Sequence, residues 1–390
     1  MLEGVNVALG VTGSIAAVKT VELAHELRRR GADVRGVMTD SARGIVHPWA
    51  IEFATDDDVV TEITGSVEHV DLCGYDGWAD VFLVAPATAN TVGKIAGAVD
   101  DTPVTTCATT ALGADTPVVI APAMHEPMYD HPGVLEAIDT VSSWGVEFVD
   151  PRIEEGKAKI AREEAIVCDV ARAASDRPLE GNHVVVTSGA TSESIDPVRV
   201  LTNRSSGRMG RAVARACYVR GADVTLVHDG DEVPYANVRA VESAAEMLAA
   251  TRDACADADA LVSAAAIGDY TVEASAEKIR SGQDLTLELE PTPKLIDEIR
   301  DERPAVPIVG FKAETSGDER SMLERARETL ERADLAFVVA NDASVMGSDR
   351  TRTLLVHEND AARYEGTKAG LGDEIADSIA AILTDDMPRN

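Results

Sequence analysis

Lysine and cysteine are both scarce in this chain, and each shortage narrows what it can be. Of its 36 basic residues only 8 are Lys, leaving 28 Arg. Five cysteines (Cys73, Cys107, Cys168, Cys217 and Cys255) lie scattered through 390 residues with no Cys-x-x-Cys pair. That argues against a zinc site and a disulfide framework, and it fits a reducing compartment. Each reads as a small buried apolar residue rather than a nucleophile. No run of about 18 apolar residues occurs, so no membrane-spanning helix is expected. The opening MLEGVNVALGVTGS reads as strand and turn, without the basic start and apolar middle of a signal peptide. A cytoplasmic, soluble chain is the expectation. Neither half carries a full G-x-G-x-x-G, which disfavours a tandem nicotinamide-dependent oxidoreductase. Internal repeats and low-complexity tracts are also missing.

What is present in excess is acid. Asp and Glu total 68, giving a net charge of −32. Residues 1–180 hold 13 basic and 30 acidic side chains, and the remainder hold 23 and 38, so the surplus is spread and is no local tail. Such a surface repels nucleic acid. It resembles the composition of proteins from a salt-loaded, halophilic cytoplasm, where ions screen the self-repulsion. Hydrophobic residues make up 45%, which excludes disorder over most of the length, and 390 residues suggest two or three domains.

Residues 5–10 form an apolar run leading into Gly10-Val11-Thr12-Gly13-Ser14, then helical spacing over 15–30, then Gly31 and a second strand at 34–38. A glycine turn between strand and helix lets backbone N–H groups approach an anion. The same order returns at 183–187, 210–220 and 224–228, interrupted by an unusually long connection over 188–209. Connections of that length in a compact α/β unit are usually functional. The polar stretch ASDRPLEG (174–181) places a boundary near residue 180, giving domains 1–179 and 180–390. Both halves are expected to be α/β, Rossmann-like, with mostly parallel sheets and ligands at the strand carboxyl ends.

GSIAAVK (13–19), His69 in HVDL, WAD (78–80), APATANTVGKIAGAVDD (85–101) and APAMHEPMY (121–129) resemble the flavin-dependent cysteine decarboxylases. DPVRVLTNRSSGRMG (196–210), SAAAIGDY (263–270), EKIR (277–280), GFKAET (310–315) and AND (340–342) resemble the phosphopantothenate–cysteine ligases. The fused order is similar to the bifunctional proteins of coenzyme A biosynthesis. The resemblance implies CTP-dependent joining of cysteine to 4′-phosphopantothenate, then FMN-dependent decarboxylation of phosphopantothenoylcysteine.

For the first half it implies FMN contacts at Gly13, Ser14, Ile15, Thr39, Thr88, Ala89, Asn90, Thr91, Ala111 and Met124. His69 aligns with the family's proton-handling histidine, and an imidazole with pKa near 6.5 suits that task. His125 stands where relatives carry a carboxylate-binding Asn; histidine can donate the same hydrogen bond. His125 and His131 could instead begin a metal site, but no third ligand is evident. Bacterial relatives carry a proton-donating Cys on a flap; EEGKAKIARE (154–163) has none, and Lys157 or Lys159 there either supplies the proton or binds the substrate phosphate.

For the second half it implies catalytic roles for Asn203 and Lys278. Substrate contacts are implied at Arg199, Ser205, Ser206, Gly207, Asp269, Pro293, Lys294, Leu295, Ile296 and Phe311, with Mg²⁺ accompanying CTP. Where the family tends to place a Lys before Asp-Leu this chain has Glu331, leaving Arg327 or Arg332 as replacements. Decarboxylase trimers linked by ligase dimers follow from the resemblance alone. A flavin-binding scaffold that has lost its chemistry is the competing reading: the missing Cys favours it, while intact His69, Asn203 and Lys278 oppose it.

Overall fold

A segment such as Val81–Ala87, buried at every residue, has no solvent face to alternate with and belongs inside a sheet covered on both sides. The computed structural model describes residues 1–282, 284–314, 319–342 and 350–385. The chain divides into two units, Met1–Asp176 and Arg177–Asn390. No helix among the described residues is long and apolar enough to cross a membrane.

The first unit holds a parallel sheet in the order Asp33–Met38, Asn6–Val11, Val81–Ala87, Val118–Pro122, Glu147–Phe148. The first strand is flanked by the second and third, so the path of the chain reverses there and opens a crevice at the strand carboxyl ends. Phe82, Leu83 and Ile120 are fully buried, each contributing about 1.5–3 kcal/mol by leaving water. The helix expected over 15–30 is a 3₁₀ turn, Ile15–Lys19, followed by an α-helix, Thr20–Arg29. The Thr20 hydroxyl donates to the Ala85 carbonyl and pins the α-helical start. Ahead of it Ile15 and Val18 stand exposed, with no packing to impose the wider turn.

The second unit has an eight-stranded sheet. Asn237–Ala240, Asp223–His228, His183–Ser188, Ala260–Ser263, Ile308–Glu314 and Phe337–Asp342 run parallel. Arg350–Val356 and Ala361–Thr367 complete one edge antiparallel. The helix Arg208–Val219 packs against Lys368–Asp385 so closely that a Cβ at Gly372 would lie 2.7 Å from the Ala212 carbonyl oxygen. Arg220, capping the first of these helices, pairs with Asp373 at 3.0 Å and Asp377 at 2.5 Å on the second.

The long connection contains an antiparallel hairpin, Ser192–Ser194 with Val200–Thr202, each arm too short to stand out in the sequence. Its turn is organised by the buried Asp196 carboxylate. The N–H groups of Val198 (2.8 Å), Arg199 (2.9 Å) and Ile279 (3.1 Å) all donate to it. Arg199 also pairs with Asp196 and donates to the Ile279 carbonyl at 3.1 Å. Burial alone would raise the Asp196 pKa, but these N–H donors and the Arg199 charge outweigh it and hold the carboxyl below its ordinary value. The stabilisation is therefore present above the unfolded carboxyl pKa of about 3.9 and is lost as pH falls through the lower folded value. Asp196→Ala should speed amide exchange in residues 273–280 at neutral pH, leaving 1–176 unchanged, and the wild-type chain should show the same loosening only in strong acid. Unaltered exchange in the variant would refute this latch.

Candidate active sites

In the first unit the sheet's carboxyl edge gathers hydroxyls because each strand there runs into a capped turn. Ser14 follows the first strand; its oxygen accepts from Ala16 N, and its hydroxyl donates to the Ala123 carbonyl at 3.1 Å. Thr39 follows the second strand and caps Asp40–Arg43, accepting from Ala42 N at 3.2 Å. Thr88 follows the third and caps Ala89–Ala96, accepting from Thr91 N at 3.2 Å, with the Thr91 hydroxyl 3.0 Å away. Gly13 is enforced by crowding, since a Cβ there would fall 2.5 Å from Ser41 Cβ. Small residues, helix-start N–H groups and hydroxyls at one edge make a cradle for an anion. Asn90 and Ile15 are exposed beside it, and Met124 is half-buried.

His69 lies in the first turn of Glu68–Cys73. That helix is entered through Val67 at φ 54°, a left-handed conformation rarely adopted by a β-branched residue. The Glu68 carboxylate braces the turn by accepting from Thr64 N at 2.8 Å and from the Thr64 hydroxyl. His69 Nδ1 is buried without a hydrogen-bond partner. His69 thus joins a left-handed entry residue to a buried ring nitrogen that has no partner among the described residues. His125 is exposed and pairs with Lys157 in a small three-stranded sheet of Met124–His125, Lys157–Lys159 and Arg152–Glu154. His131 is occupied as a helix cap, accepting from Gly133 N at 3.1 Å. Among the described residues no group of three or more His, Cys, Asp or Glu could hold a metal ion.

In the second unit a cavity of about 690 Å³ opens at the sheet's carboxyl edge. Segments distant in sequence meet there: 203–210, 263–269, 292–297 and 311–313. Gly207, at φ 65°, begins the helix Arg208–Val219, and Ser205 Oγ accepts from its N–H at 3.4 Å. Gly210 lets that helix approach the first strand, where a Cβ would fall 2.5 Å from Ser188 Cβ. The Asn203 amide nitrogen donates to the Ala266 carbonyl at 3.1 Å, which fixes the side chain, and its second N–H is left over as a donor. Asp269 and Lys294 pair at 2.5 Å, both exposed.

Ser205, Ser206, Gly207, Asp269, Pro293, Lys294, Leu295, Ile296 and Phe311 all line this cavity with Asn203. Three expected residues are not brought to the edges. Ala111 is fully buried near the end of Pro103–Gly113, toward the opposite edge, because that helix runs directly into the strand Val118–Pro122. Arg199 is taken up by Asp196 and Ile279, and Lys278, on the exposed loop they latch, is not among the lining residues. Thr315 of GFKAET lies outside the described residues. Arg332, one of the two replacements expected for the missing Lys, lines the cavity, as does Lys312 of the GFKAET motif. Lys368 also lines it and was not singled out, the scarcity of lysine being the available signal. Arg327 and Glu331 do not line it.

Residues 1–175 match the Flavoprotein family, and residues 179–383 match the DNA/pantothenate metabolism flavoprotein C-terminal domain. The chain is 49% identical, over 98% of its length and 96% of the relative, to the coenzyme A biosynthesis bifunctional protein CoaBC of Thermococcus kodakarensis. It is 34% identical to the protein of the same name from Bacillus subtilis, covering 98% of each. A solved C-terminal domain of CoaBC is 28% identical and covers 54% of this chain and all of that domain, with a TM-score of 0.47. With two domain families matched in this order and full-length relatives well above 30% identity, the chain belongs to the family of bifunctional coenzyme A biosynthesis proteins.

Proposed function

We propose that the second unit activates 4′-phosphopantothenate with CTP and joins it to cysteine, and that the first unit, holding FMN, decarboxylates the product. The observation that carries this reading is the meeting of four separated motif segments around one cavity in the ligase unit. Ser205, Ser206 and Gly207 take the substrate phosphate at the start of a twelve-residue helix. The substrate carboxylate attacks the α-phosphorus, a C–O–P bond forms and pyrophosphate leaves; Mg²⁺ bound with CTP would offset the charge of that leaving group. Cysteine's amine then displaces CMP from the acyl carbon. Lys294, Lys312 and Lys368 offset the triphosphate charge, Arg332 replaces the cation lost at Glu331, and Asn203 meets charge developing on the acyl oxygen.

The first unit's residues fit FMN: hydroxyls of Ser14, Thr39 and Thr88 and the N–H groups of Ala89 and Asn90 suit its phosphate. The unsatisfied His69 nitrogen supplies a proton-handling partner. When bound, the flavin supplies a two-electron sink that lets the cysteine carboxylate leave as CO₂. His69 accepts the proton of the substrate thiol, and His125 donates a hydrogen bond to the carboxylate and orients it. Exposed Ile15, Val18, Trp49 and Phe53 support burial against a second copy of the same unit. The charge of −32 supports a salt-loaded cytoplasm as the working environment.

Purified chain in high salt should release CO₂ only when given 4′-phosphopantothenate, cysteine and a nucleoside triphosphate together, CTP giving the fastest turnover and pyrophosphate appearing with it. His69→Asn should retain the flavin absorption band while decarboxylation of supplied phosphopantothenoylcysteine falls by at least about 10²-fold. Normal turnover in that variant rules out the assigned role. Asn203→Ala should slow amide formation by roughly 10²–10³-fold and leave decarboxylation unchanged. Equal loss of both activities would show instead that the residue supports the fold.

A further inference from the structure

The register of the small sheet in the first unit separates two lysines that the sequence leaves equivalent. His125 pairs with Lys157, and Lys157 pairs in turn with Glu154 on the outer strand. Residues directly opposed on antiparallel strands project from the same face with Cβ atoms about 4.5–5.5 Å apart. The His125 imidazole and the Lys157 side chain are therefore neighbours. The hairpin turn, Glu155 at φ 54° and Gly156 at φ 69°, fixes this register, and Glu126 N donates to the Gly156 carbonyl at 3.1 Å.

The two carboxylates of the hairpin are already held by other cations. Arg152 pairs with Glu154 at 3.2 Å, and Lys159 pairs with Glu154 at 3.1 Å and Glu155 at 2.9 Å. Among the described residues no salt bridge within 4 Å is formed by Lys157; its charge is felt at Glu155, which Lys159 contacts directly, and its side chain is exposed. Lysine is also the rarer choice in a chain with 28 Arg and 8 Lys. An ammonium can give up a proton during turnover, and a guanidinium cannot.

Loss of CO₂ leaves a carbon that must gain a proton where the carboxylate stood, so the acid has to lie beside the group that holds the carboxylate. Resting on the decarboxylase reading and on His125 as carboxylate holder, we propose that Lys157 is that acid. The C–C bond to the carboxylate breaks and its electron pair enters the C=C of an enethiolate. One N–H bond of the Lys157 ammonium then breaks and a C–H bond forms at the vacated carbon. The sulfur electrons close a C=S bond. The two electrons that left the thiol-bearing carbon for the flavin before CO₂ loss return to it as hydride to give the thiol, and the neutral amine recovers its proton from water.

The test uses the full chain loaded with FMN and given phosphopantothenoylcysteine, comparing wild type with Lys157→Arg and Lys157→Gln by stopped-flow and product mass. Both variants should keep the bound flavin and release a single burst of CO₂. The product should be the enethiol, lighter than the normal thiol by one pair of hydrogens, with steady turnover reduced at least about 10²-fold. Lys157→Arg should keep the wild-type KM, since its charge remains. Normal thiol at the wild-type rate from either variant overturns the assignment. A raised KM with no enethiol also overturns it and makes Lys157 a carboxylate clamp. If wild type itself releases no CO₂, the decarboxylase reading fails rather than this residue's role.

Discussion

Parallel strand direction is the constraint on which both sites depend. In a parallel sheet every crossover helix starts from the same edge, so the unpaired N–H groups of successive helix starts collect there. Capping hydroxyls follow in the first unit, because those N–H groups need acceptors: Ser14, Thr39 and Thr88. The edge thereby becomes electropositive without many charged side chains. Glycines at 13 and 210 are the steric counterpart, since both sit where a side chain would collide with the neighbouring turn or strand.

That economy matters for a molecule of net charge −32 whose substrates are phosphates and carboxylates. Long-range electrostatics works against binding, and salt screens that penalty beyond about a Debye length. Local dipoles and close-range ammonium groups act inside that distance. Three of the eight lysines, Lys294, Lys312 and Lys368, line the second unit's cavity at the sheet's carboxyl edge. The exposed Lys294–Asp269 pair adds little to stability and lies on the cavity lining.

Much of this was legible in the amino-acid order. Val81–Ala87 reads as a buried strand because it offers no polar face, and the Gly13-Ser14 turn announces a helix start. The residues flanking Gly207 and Pro293 were readable as motif, and they do meet at one cavity. What could not be read depends on partners far along the chain. Arg199 looks like a ligand-binding arginine until the fold brings Ile279 against Asp196. Ala111 is apolar at helical spacing, and only the direction in which its helix runs tells which sheet edge it approaches. Strands of three residues, such as Ser192–Ser194, carry too little alternation to be distinguished from loop. Lys157 and Lys159 are two apart on one strand and share its face, so nothing in their spacing separates them; register and ion pairing do.

The clasp of Arg220 on Asp373 and Asp377 joins two helices whose starts, Gly207 and Lys368, both border the ligase cavity. Their dipoles thus converge on one point from opposite ends of the domain's sequence. During synthesis the phosphate cradle stays unfinished until Lys368–Asp385 has left the ribosome, whereas the flavin half can mature far sooner. A nonsense codon shortly before that helix would accordingly leave a truncated yet coloured polypeptide, able to trim its thiol substrate and unable to manufacture it.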